Sequence, residues 1–68
     1  MSTLPTPQEI ANRLRLLSQQ MQDLGAAMEY TAGFDGAMAA HGKELLGAGL
    51  IASGWAAAIE EEIKEAKT

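Results

Sequence analysis

The polar and apolar positions of this chain fall into two stretches with helical period, separated by a short glycine-rich break. In the first stretch the large apolar residues are Ile10, Leu14, Leu17, Met21, Leu24 and Met28. Their alternating four- and three-residue steps are those of a bundle helix with one narrow apolar stripe. Asn12, Arg15, Ser18, Gln19, Gln22 and Asp23 fall between them and read as solvent positions. The two methionines of the stripe read as core filling. The start is marked by Thr6-Pro7-Gln8-Glu9, which places a capping hydroxyl before a proline at the first helical position. Glu9 is spaced to reach back to the amide of the cap. A helix over about 7–32 is predicted, with residues 1–5 as a loose tail before it.

Gly33 is placed to end that helix in the left-handed conformation, and Asp35 to cap the next one. A turn over 33–35 folds two helices into an antiparallel hairpin. Phe34 is expected to plug its open end. The second helix, about 36–66, differs in kind. One face collects Met38, His41, Leu45, Ala48, Ala52, Trp55, Ile59 and Ile63, and it is expected to pack on the stripe of the first helix. Trp55 is expected to anchor that core, with Glu29 or a hydroxyl accepting from its indole N–H. A second uncharged face collects Ala40, Gly47, Leu50, Ile51, Gly54 and Ala58. A break at His41-Gly42 is the alternative segmentation, but the Met38–His41–Leu45 spacing stays in phase with the apolar positions after it, which favours one long helix.

One neighbour cannot cover both faces. Each interior glycine costs a helix about 0.8–1 kcal/mol against alanine, and Gly42, Gly47, Gly49 and Gly54 all lie inside this one. Close approach of another backbone is the gain that could offset that loss. The expected fold is therefore all-α: a single hairpin domain over 6–68 that completes a four-helix bundle by homodimerisation. Ala40, Gly47, Leu50, Ile51, Gly54 and Ala58 are the expected interface.

Size and charge sharpen this picture. A chain of 68 residues with no cysteine cannot staple a small core with disulfides, and association is the remaining way to enlarge it. The missing cysteines also suit a reducing, cytoplasmic setting. Nine acidic residues against five basic give a net charge of −4, which repels phosphate backbones and argues against nucleic acid as a partner. The uncharged run from Leu45 to Ile59 is shorter than the about 20 residues of a spanning helix and is bracketed by Glu44 and Glu60-Glu61-Glu62, so no membrane span is expected.

Candidate chemistry is sparse. His41 and Glu44 could both touch a metal, but a zinc site needs three or four protein ligands. No metal or cofactor is assigned, and His41 is expected as a partly buried residue bonded to Glu44 or a carbonyl. Glu61-Glu62-Ile63-Lys64-Glu65 matches the acidic E-E-x-x-E run of all-helical nucleotide pyrophosphatases without their downstream acidic pair, and reads as a solvated face. Ser18 and Ser53 have no histidine that the sequence places beside them, so no catalytic residue is assigned and the chain is expected not to be an enzyme. Tyr30, Phe34, Asp35, His41 and Lys43 are grouped as a binding patch at the hairpin tip.

With Gly33-Phe34-Asp35, His41-Gly42-Lys43-Glu44-Leu45 and Ala52-Ser53-Gly54-Trp55-Ala56, the second half resembles small phage and prophage accessory proteins. It is loosely similar to the helical hairpins of phage anti-CBASS proteins. That resemblance implies an oligomer which binds rather than catalyses. It implies a host protein as target or, alternatively, a sponge for a nucleotide or other small signal molecule, with no ligand residue carried over. A structural assembly subunit is the third reading.

Overall fold

The computed structural model describes residues 4–33 and 35–67. They form two helices, α1 (Pro7–Thr31) and α2 (Gly36–Lys67), packed as an antiparallel hairpin. No strand occurs among the described residues. The Cα atoms extend 48 × 31 × 12 Å, so the molecule is a slab one helix deep.

Local chemistry sets the ends. Thr6 is extended at φ −73°, ψ 159°, and its hydroxyl oxygen accepts from the Glu9 amide at 3.1 Å. The Glu9 carboxylate bonds the Thr6 hydroxyl at 3.2 Å, rather than the cap's amide that its spacing predicts. At the far end of α1, the Ala32 and Gly33 amides donate to the Met28 and Tyr30 carbonyls at 3.0 and 3.2 Å. Gly33 then turns to φ +69°, a conformation glycine adopts without a Cβ clash. Asp35 meets α2 by accepting from the Gly36 amide at 2.8 Å. Phe34, expected as a plug, lies outside the described residues.

The seam between the helices is not the one the apolar stripes predict. The α1 residues lost to solvent are Ala11, Ser18 and Gly25, seven apart, and those of α2 include Gly42, Gly49 and Ala56, also seven apart. Gly25 stands against Gly42, and Gly49 against Ser18. The same antiparallel register places Ala11 opposite Ala56, both 0% exposed. Contact is backbone to backbone. A Cβ built on Gly25 would stand 2.5 Å from the Gly42 carbonyl oxygen, and one on Gly42 would stand 2.6 Å from the Gly25 carbonyl.

This corrects the expected core. Once α1 and α2 approach this closely, nothing larger than serine fits between them, and the long side chains are pushed to the flanks. Among the described residues no large side chain is fully buried; the buried apolar residues are Ala11, Ala39, Ala52 and Ala56. The expected loss at interior glycines is indeed offset by close approach, but at Gly42 and Gly49 and within the hairpin. Gly47 and Gly54 face open space.

Candidate functional site: one apolar face of a two-helix slab

Helix geometry dictates where the flanking side chains go. Residues three and four positions after a seam residue lie on opposite sides of it. On α1 the first set is Leu14, Met21 and Met28, and the second is Arg15, Gln22 and Glu29. On α2 the first set is Leu45, Ala52 and Ile59, and the second is Leu46, Ser53 and Glu60. Because the helices are antiparallel, like sets fall on the same face of the slab. The two apolar stripes read from the sequence therefore lie side by side rather than across from one another.

The polar face is tied by side chains. Arg15 and Glu60 form an ion pair across the hairpin, and Gln8 also donates to Glu60 at 3.5 Å. The hydrogen bond from Arg15 holds the Glu60 carboxyl below its ordinary value; desolvation opposes it, and the guanidinium charge and then the Gln8 bond add smaller downward contributions. Arg15 is raised in return, by its bond to Glu60 and then by the charge. Nearer the turn, the Gln22 amide donates to the Ser18 hydroxyl oxygen at 2.9 Å.

The other face is bare and greasy. Ile10, Leu17, Leu24, Met38 and Trp55 are 40–59% exposed along it. Between them runs a groove of about 310 Å³ lined by Leu14, Leu17, Met21, Ala48, Ala52 and Trp55, with Ile51 at its edge. Every lining residue is apolar. Contiguous apolar surface beyond a few hundred Å² marks an interaction site on a soluble protein. No family model, no curated protein and no solved structure matches this chain. The face itself carries the functional reading.

Trp55 and His41 depart from their sequence-read places. Trp55 does not anchor the hairpin's core; at 59% exposed it stands as a ridge beside the groove, and Ala52 and Ala56 fill the buried positions on either side. Ala40, Gly47, Gly54 and Ala58 lie round the back of α2, away from α1, with Leu50 at its polar edge, 54% exposed. Of the expected interface set only Ile51 borders the groove. Of the residues grouped at the tip, Tyr30, Asp35, His41 and Lys43 are all exposed, and Phe34 lies outside the described residues. His41 and Lys43 are two residues apart on one helix and so point about 200° from each other. His41 is not the partly buried residue expected; its ring and the Glu44 carboxylate, 3.2 Å apart, are 68% and 75% exposed. Among the described residues no cluster of three or more side chains could hold a metal, and no helix is long and apolar enough to cross a membrane.

A second, charged hollow of about 500 Å³ opens at the far end from the turn, between Gln8, Glu60, Glu61, Lys64 and Lys67. Glu61, Lys64 and Lys67 face water there.

Pairing large stripes with large stripes hides this face from a reading of the sequence. The signal was present in the small residues: Ala11, Ser18 and Gly25 repeat every seven positions, as do Gly42, Gly49 and Ala56.

Proposed function

We propose that this protein is a non-enzymatic, oligomeric helical binding protein of the small phage accessory kind it resembles, acting on a host protein in the cytoplasm. The observation that carries the proposal is the undivided apolar face beside Trp55. A hairpin whose seam is made of alanine, serine and glycine gains only about 0.8 kcal/mol for each buried methyl or methylene. Most of its large apolar residues remain half in water, so the favourable step left to it is to cover them with another chain. The groove lining offers no charged group to a phosphate, which favours protein over nucleotide as the molecule it meets. With one face used in association, the acidic outer surface suits a basic or charge-mixed target.

Size exclusion with light scattering tests the assembly; the expected outcome is a mass at least twice that of one chain at micromolar concentration. The target is tested by capture from bacterial lysate. One stoichiometric protein, released as salt is raised, is expected because screening weakens contacts to an acidic surface. An assembled protein that captures nothing would leave a structural subunit instead.

A further inference from the structure

We infer that the apolar face is covered by the same face of a second copy, with the two turns at opposite ends and Trp55 of each copy seated over Ala48 of the other. This deepens the reading of the protein as an oligomer and rests on it. Each half-exposed large side chain leaves on the order of 100 Å² uncovered. Ile10, Leu17, Leu24, Met38 and Trp55, joined by the partly exposed Leu14, Met21, Leu45 and Ile59, thus offer on the order of the 800 Å² that each partner gives to a standard stable interface.

A two-fold interface must be complementary to itself, and this face is. His41, Ala48, Trp55 and Glu62 succeed one another every seven residues along the edge of α2 that borders the face. The midpoint between Ala48 and Trp55 is also the midpoint between His41 and Glu62. A two-fold axis through that point, in the plane of the interface and across the helices, sets the largest side chain of the stripe on the smallest. It also sets His41, which already carries Glu44 beside it, level with Glu62 of the second copy. The seam register carries the same axis to α1, where it falls between Leu14 and Leu17. There Leu14 meets Leu17 of the second copy, and Ile10 meets Met21. Knob meets hole on α2, apolar meets apolar on α1, and the imidazole end meets the acidic end. Every neighbouring pair of helices in the resulting bundle is antiparallel.

Exchanging knob and hole tests this arrangement in the full chain. Ala48→Trp sets tryptophan on tryptophan and Trp55→Ala leaves a cavity, so each alone is expected to weaken the dimer on the order of 100-fold by sedimentation equilibrium. The double variant Ala48→Trp/Trp55→Ala is expected to recover most of that loss, since the two positions simply trade places. A double variant that stays helical by circular dichroism yet monomeric overturns the arrangement. Should it fail to fold, cross-linking decides. Leu14→Cys mixed with Leu17→Cys, in a chain with no cysteine of its own, is expected to join through a short bis-maleimide, which alkylates one thiol at each end, faster than either variant does alone. Equal rates overturn the pairing. A wild-type chain that is monomeric at tens of micromolar removes the oligomer reading itself, whereas a wild-type dimer that fails the exchange removes only this packing.

Discussion

Ser18 of α1 donates its hydroxyl to the carbonyl oxygen of Gly49 on α2, at 2.6 Å and almost wholly out of water. The bond is possible because Gly49 has no side chain; a Cβ there would stand 2.9 Å from the Ser18 carbonyl. One small polar residue thus fixes the register of two helices that share almost no large side chains between them.

Ser18→Ala keeps the space and removes the bond. The change leaves the buried Gly49 carbonyl without this donor and the part-buried Gln22 amide without its acceptor, and about 1–2 kcal/mol of stability is expected to go. Urea denaturation of wild type and variant at equal protein concentration measures it. A change within about 0.3 kcal/mol would mean that the hydroxyl is not holding the register.

The glycines of α2 should divide by sign. Gly42→Ala collides with the Gly25 carbonyl and the Met28 side chain and is expected to destabilise by about 2 kcal/mol or more. Gly47→Ala and Gly54→Ala meet nothing within 4 Å, and each should stabilise by about 0.5–1 kcal/mol through helix propensity. Thermal melts of the three variants give the comparison directly. Destabilisation of all three alike would remove the backbone seam.

Glu60 sets an acid limb. Its folded-state carboxyl is held below the unfolded value by Arg15, so the pair contributes stability above the unfolded carboxylate pKa of about 4.3. That contribution is lost as pH falls through the folded value. Glu60→Gln is expected to lower the melting temperature slightly at pH 7, because the pair is solvent-exposed, and to make its fall between about pH 5 and pH 3 shallower by the same small amount. A variant as acid-sensitive as wild type would show that the pair does not couple to folding.

Trp55 reports association by its own fluorescence. On the bare face of one hairpin it is 59% exposed, and under a second copy it loses that water. Emission is expected at shorter wavelength in concentrated solution, shifting red on dilution without loss of helical circular dichroism. A red maximum at every concentration would leave the face uncovered.

Much of the hairpin was legible in the chain. Thr6-Pro7 opens α1, Gly33 and Asp35 sit at the turn, and the 3.6-residue period of Ile10 to Met28 makes α1 a helix. These features act through the residues next to them in sequence, where propensity, capping and backbone strain are local quantities. An amphipathic stripe likewise shows that an apolar face exists, because only the helix's own period is needed to build it. What covers that face is a different matter. Large apolar residues mark surface that must leave water, but the closest approach of two backbones is governed by the smallest residues available to both. Only the paired geometry shows that Gly25 meets Gly42 and Ser18 meets Gly49. Once the small seam wins, the large stripes rotate together onto one face, Trp55 with them. The sequence by itself determined two helices, their ends and their greasy sides; the tertiary structure alone decided that those sides lie beside one another, because interpenetration at a seam depends on both helices at once.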